Sequence, residues 1–117
     1  MKAVDAFLLE MIRAGGSDLH LPSGSPPMVR IHGELRPLEL PRLESEQVRQ
    51  MTMEILTAPL IDHLLEEATV DFVYEMEDGP PSMRRFRANA FYQKHGLNVV
   101  FRGIPVRIPT LEELGLP

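Results

Sequence analysis

Residues 84–104, RRFRANAFYQKHGLNVVFRGI, predict two β-strands joined by a tight loop. Apolar and polar side chains alternate along both halves, as they do in strands that turn one face towards a core. A four-residue loop over 93–96 gives the pairing register that places both apolar sets on the same side of this hairpin. In that register Tyr92 faces Leu97 across the ladder.

The polar face of the hairpin carries two arginines directly opposite each other, Arg87 and Arg102, with Asn89 and Asn98 nearby. Like charges at opposed positions of a β-ladder destabilise the pairing. Two interpretations follow. Either the pair binds an anion, and phosphate suits best because its oxygens match the guanidinium fork, or both side chains point into water or pair with acidic residues elsewhere in the chain.

The rest of the pattern predicts three helices and four further strands. Helical spacing predicts a helix over 3–13 that Gly15-Gly16 ends, a second helix with Ser45 as its N-cap, and a third with Pro59 in its first turn. Alternation predicts strands over 18–21, 28–32, 34–38 and 70–76. The predicted order is αβββααβββ, an α+β fold in which an antiparallel sheet packs against helices.

Composition and motifs exclude several kinds of site. The sequence is 44% hydrophobic and 25% charged, which is ordinary for a soluble globular domain. It has no cysteine, no metal-ligand spacing among its four histidines, and no phosphate loop, HExxH or GxSxG motif, so no metal site and no catalytic residue is predicted. No apolar run is long enough to span a bilayer and no signal peptide is recognisable, so a cytoplasmic location is expected.

The charge is unevenly distributed. The formal net charge is -5, yet residues 79–111 contain six basic residues and no acidic one. This split predicts either a local anion site or a solvated basic face on an acidic body. A nucleic-acid interface is not expected, because Phe91 and Tyr92 fall on opposite faces and give no continuous stacking platform.

Four blocks of the sequence resemble the N-terminal domain of the PilT family of twitching-motility ATPases, which retract type IV pili. In chain order they are GSDLHL at 16–21, PPMVRIHG at 26–33, RFRANAF at 85–91 and IPTLEELGLP at 108–117. The resemblance implies a PAS-like domain over residues 1–104 and an extended linker over 105–117 that leads towards a RecA-like motor domain. In the family the motor domain holds the phosphate loop, so this domain alone is expected to be inactive.

The resemblance also implies the site and its partners. Arg87 and Arg102 match the two arginines that reach over the nucleotide held by the motor domain. Further candidates, for support or for subunit contact, are Arg85, Asn89, Asp18 and His32. We read Asp18 as a turn or interface residue rather than an acid–base group, and His32 departs from the Asn or Asp that relatives have before the glycine.

ATP with a divalent cation such as magnesium is expected in the full-length protein, and no cofactor in this domain alone. The expected partners are the chain's own motor domain, the neighbouring subunits of a homohexamer and the pilus machinery, which would place the protein peripherally at the inner membrane. Two alternatives remain: the N-terminal domain of a related pilus-assembly or type II secretion ATPase, or a free-standing PAS-like interaction module.

Overall fold

The computed structural model describes residues 2–77 and 83–105, and in these ranges three helices and six strands follow one another. The helices are α1 (Ala3–Arg13), α2 (Ser45–Ile55) and α3 (Ala58–Glu67). The strands are β1 (Asp18–Leu21), β2 (Met28–Ile31), β3 (Glu34–Pro37), β4 (Thr69–Glu77), β5 (Met83–Gln93) and β6 (Gly96–Ile104). The predicted α+β class is confirmed, whereas the predicted linker lies, from residue 106 onward, outside the described residues.

The six strands form one antiparallel sheet in the order β3-β2-β1-β6-β5-β4. The strand β1 therefore lies beside β6, although residues 22–95 separate the two strands in sequence. This pairing joins the N-terminal β1–β2–β3 meander to the C-terminal β4–β5–β6 meander. It places β1 next to the arginine-bearing hairpin.

The predicted hairpin register is confirmed, because Tyr92 pairs with Leu97 and Arg87 pairs with Arg102. The predicted four-residue loop is wrong, since Gln93 and Gly96 also pair and leave a two-residue turn. Gly96 makes this possible with a φ of +126°, a backbone conformation that residues with a Cβ rarely adopt.

The core lies between the helices and one face of the sheet, which we call the inner face. Phe86 and Phe101 are buried there with their rings edge-on and the centroids 6.4 Å apart. Tyr74 packs against Phe101 and donates a hydrogen bond from its hydroxyl to the buried carboxylate of Asp5 on α1. Burial, together with this carboxylate, raises the pKa of Tyr74 far above its usual value.

Ser45, predicted as the N-cap of α2, is instead its first helical residue, and Glu44 is the N-cap. The side-chain oxygen of Gln47 accepts a hydrogen bond from the backbone N–H of Glu44 at 3.0 Å. This contact fixes the start of the helix one residue earlier than the serine suggested. Within the described residues, none of the helices has the length and apolar character needed to cross a bilayer.

Candidate functional site

Four charged side chains form a single row on the outer face, the side of the sheet opposite the core. Arg30 on β2 pairs with Asp18 on β1, Asp18 pairs with Arg102 on β6, and Arg102 pairs with Arg87 on β5. Directly opposed residues on one face have their Cβ atoms roughly 4.5–5.5 Å apart. We call these four residues the charged row. It brings together three of the residues predicted from the sequence and one, Arg30, that was not.

Arg102 forms an ion pair with Asp18. Its Nε and Nη2 both donate to Oδ2 of Asp18, each at 3.3 Å. The two partners differ in exposure, since the Arg102 side chain is 72% exposed and the Asp18 side chain only 7%. Asp18 therefore lies in a strand rather than in a turn, and Arg102 is paired with an acidic residue of the same chain.

Arg87 is exposed, and within residues 2–77 and 83–105 no hydrogen bond or ion pair involves its guanidinium group. It stands opposite Val73 on one side and Arg102 on the other. An exposed guanidinium beside a second one keeps its five N–H donors for water or for an incoming anion. This exposed guanidinium group, which has no partner among the described residues, is the feature of the charged row that points to a ligand.

The two asparagines do not extend the arginine pair. The side-chain amide nitrogen of Asn89 donates hydrogen bonds to two residues of β4, to Thr69 Oγ1 at 3.1 Å and to Asp71 Oδ1 at 2.8 Å. Asn98 lies four residues from Arg102 along β6, which amounts to roughly 13 Å of extended chain. Of the two asparagines, only Asn89 lies near the arginines as expected. Its side-chain amide is already hydrogen-bonded to β4.

A shallow cleft of about 250 Å³ lies over three residues of the charged row, Asp18, Arg87 and Arg102, and is also lined by Asp71, Asn89 and Val100. This volume is below the range of about 300–1,000 Å³ found for sites that enclose a drug-sized ligand. The cleft therefore suits one end of a ligand, such as a phosphate group, whose remainder is held elsewhere.

A larger cleft of about 700 Å³ adjoins it at the end of the sheet and shares Asp18 and Arg102 with it. Arg30, Arg84 and Arg85 also line this larger cleft. Such a concentration of guanidinium groups gives the region a positive potential that attracts anions. Arg85 itself is engaged within the chain, since its Nε lies 3.2 Å from Oε1 of Glu75.

His20 lies next to the charged row on β1, and sequence reasoning gave it no role. Its Nε2 is buried and is the one such side-chain atom without a hydrogen-bond partner among the described residues. Burial lowers the pKa of His20, the carboxylate of Asp18 opposes this shift, and Arg30 adds to it. The neutral form of the His20 imidazole is thus favoured beside a row that already holds three arginines.

His32 occupies a turn rather than the site. Ile31 pairs with Glu34, so His32 and Gly33 alone connect β2 to β3, with φ values of +50° and +80°. Arg30 also donates from Nη1 to the carbonyl of Gly33 at 2.9 Å, which ties the turn to the charged row. Asn and Asp tolerate this left-handed conformation better than other residues with a side chain.

Replacing His32 with Asn should raise the free energy of unfolding by about 0.5–1 kcal/mol, because Asn relieves part of the left-handed strain. Urea unfolding measures the change. His95→Asn is the matched control, since His95 also precedes a glycine in a two-residue turn but has no positive φ. Equal stabilisation by both substitutions would contradict the conformational explanation.

Comparison with known proteins identifies the family. No protein-family model matches the chain. The chain is 41% identical over 104 residues to the type IV pilus retraction ATPase PilT of Pseudomonas aeruginosa, a match that covers 89% of the chain and 29% of that protein. The chain belongs to the PilT family and matches its N-terminal part. It is also 34% identical over 113 residues to the type IV pilus ATPase PilU of the same organism, covering 97% of the chain and 28% of PilU.

The solved structures agree. The fold is similar to that of the pilus retraction motor PilT with bound ADP, with a TM-score of 0.79 and 35% identity, over 100% of this chain and 33% of that structure. The chain thus spans less than a third of the length of the curated PilT and PilU proteins it matches. The family and the fold follow from these comparisons, and the roles of individual residues rest on the geometry described above.

Proposed function

We propose that the chain is the N-terminal domain of a hexameric type IV pilus retraction ATPase, and that Arg87 and Arg102 contact the phosphates of a nucleotide held by a motor domain. The observation that carries the proposal is the pairing of these two guanidinium groups on the outer face, one of them without a partner among the described residues. The kinship with a pilus retraction motor that binds ADP supplies the identity of the anion.

In this role the two arginines neutralise charge on the β- and γ-phosphates, while the motor domain provides the phosphate loop and the divalent cation, magnesium, that accompanies ATP. Loss of the γ-phosphate removes part of the anion that the arginines hold. The arginines then bind the nucleotide less strongly, and the domain rotates as a rigid body against its motor domain. Hydrolysis is thereby converted into movement.

The same proposal includes the boundaries of the domain, its partners and its location. The described residues up to Ile104 would form a PAS-like unit, and residues 105–117 a linker towards the motor domain. Neighbouring subunits of a homohexamer and the pilus machinery at the inner membrane would be its partners, with the protein on the cytoplasmic side. The acidic body and the lack of an aromatic platform argue against nucleic acid as a partner.

A related pilus ATPase is the second candidate function, and the similarity to PilU over 97% of the chain favours it specifically. The higher identity to PilT, 41% against 34%, favours retraction by PilT-type motors. Both candidates assign the same task to the charged row, so they differ in the pilus activity that the motor performs and not in the nucleotide contact.

The test compares the chain alone with the chain joined to a motor domain. Alone, it should show no hydrolysis of ATP above the buffer background, because none of its residues is predicted to form a catalytic site. Joined to the motor domain, it should support turnover that depends on ATP and magnesium, measured as phosphate release. Hydrolysis at ordinary enzyme rates by the isolated chain would contradict the proposal and favour a free-standing function.

A further inference from the structure

The charged row contains its own anion, because Asp18 lies between two arginines on neighbouring strands. A buried carboxylate is stable only when it is paired or hydrogen-bonded. Asp18 reaches this state through Arg102, whose guanidinium contacts it through two nitrogens. The carboxylate therefore offsets the repulsion that Arg102 would otherwise exert on Arg87.

The two partners of this ion pair are not equally free to move. Asp18 is 7% exposed and is held within the central strand β1, whereas Arg102 is 72% exposed. Any exchange of partners must therefore proceed by rotation of the Arg102 side chain. Both contacts also use the same oxygen of Asp18 at 3.3 Å, which is long for a charge-assisted hydrogen bond.

A second arginine lies next to Asp18, on the neighbouring strand β2. Arg30 pairs with it across the ladder on the side away from Arg102. Arg30 gives one N–H of Nη1 to the carbonyl of Gly33, and a guanidinium group has five N–H donors in all. If Arg102 turns away, Asp18 keeps a positive charge beside it, so its release from Arg102 does not leave an isolated buried charge.

We infer that Asp18 holds the Arg102 guanidinium on the side away from Arg87 while no phosphate is bound, and that a bound phosphate group displaces Asp18 from Arg102. This inference rests on the proposed phosphate contact and adds its regulation. A phosphate group with two negative charges attracts the arginine pair more strongly than the single charge of the carboxylate. Asp18 thus sets a threshold that a polyphosphate overcomes and a monovalent anion does not.

The experiment titrates the chain with inorganic pyrophosphate and follows the backbone amide signals of residues 87 and 102 by NMR. Asp18→Asn preserves shape and removes the competing charge. It should bind pyrophosphate about fivefold more tightly than the unchanged protein, the factor that corresponds to the upper end of an exposed ion pair. In the unchanged protein, the Nε–H signal of Arg102 should shift as pyrophosphate replaces Asp18.

Glu46→Gln is the matched control. It also removes one carboxylate and releases one arginine, Arg49, but from an exposed ion pair on α2, which packs on the inner face of the sheet. Its affinity for pyrophosphate should stay within about twofold of the unchanged protein, since a change on α2 affects the charged row only through the net charge. An equal gain in both variants would show a general charge effect and would overturn the inference.

Arg87→Gln separates the inference from the proposed function. If this substitution removes pyrophosphate binding while Asp18→Asn leaves the affinity unchanged or weaker, the phosphate site stands and the role of Asp18 is refuted. If neither the unchanged protein nor Asp18→Asn binds pyrophosphate at millimolar concentration, the inference also fails. The phosphate contact is then judged by the ATPase rates of the arginine variants. A loss of folding in Asp18→Asn cannot imitate the expected gain in affinity.

Discussion

Replacing Arg87 with Ala should lower the ATPase rate of the chain joined to its motor domain by roughly 10- to 150-fold. This range corresponds to the loss of one charge-assisted hydrogen bond, about 1.5–3 kcal/mol. Arg87 has no hydrogen bond or ion pair with any described residue, so the substitution removes the proposed phosphate contact without removing a contact that stabilises the fold. Its free energy of unfolding should therefore stay close to that of the unchanged protein.

Arg102→Ala should lower the rate over a similar range, and it should also lower stability because Asp18 loses its ion pair and keeps only the neighbouring charge of Arg30. Rates are compared per folded molecule, with folding checked by circular dichroism. Lys94→Ala is the control, since Lys94 is an exposed cation in the turn at the opposite end of the same hairpin. Unchanged rates in both arginine variants would remove the phosphate role from the charged row.

Phe101→Ala should destabilise the protein by about 3–5 kcal/mol, the largest effect expected of any substitution considered for this chain. Phe101 is fully buried and its ring meets both Tyr74 and Phe86. Its removal leaves a cavity at the centre of the inner face, directly beneath the strand that carries Arg102. The midpoint of thermal unfolding should fall by about 10 °C or more.

Phe91→Ala provides the matched comparison, because it makes the same chemical change in the same hairpin but on the outer face. Phe91 is only half-buried there, opposite Asn98. Its substitution should cost about 1 kcal/mol or less, as is usual for positions outside the core. A loss below 1 kcal/mol for Phe101→Ala, or equal losses for both, would show that the assignment of the two faces is wrong.

The hairpin could be predicted from the sequence because strand alternation has a period of two. Only registers in which the numbers of paired residues add to an odd value place Phe86, Phe101 and their apolar neighbours on one side. The opposition of Arg87 and Arg102 follows from that parity, and it holds although the predicted loop length was wrong. Local pattern was thus sufficient for contacts within the hairpin.

The pairing of Asp18 with Arg102 could not be predicted in the same way. It depends on β1 lying beside β6, a contact between strands about 80 residues apart. Many sheet orders satisfy the same alternation, and local pattern does not choose among them. The role of Arg30 was missed for the same reason, since Arg30 enters the charged row only once Asp18 has been placed at its centre.

His32 shows a different limit of sequence reasoning. A histidine before a glycine occurs twice in this chain, at residues 32 and 95, yet only His32 has a positive φ. The dipeptide alone does not separate the two cases, because His32 and Gly33 are the two residues of their turn, whereas His95 is the second turn residue and Gly96 already pairs with Gln93.

The central claim is that Arg87 and Arg102 together bind a phosphate group of a nucleotide held by another domain. A structure of the chain together with its motor domain and a non-hydrolysable ATP analogue tests it most directly. We expect guanidinium nitrogens of both residues about 2.7–3.0 Å from phosphate oxygens, the distance of charge-assisted hydrogen bonds. Arginine side chains that remain more than about 6 Å from every phosphate oxygen, with Arg102 still bound to Asp18, would contradict the claim.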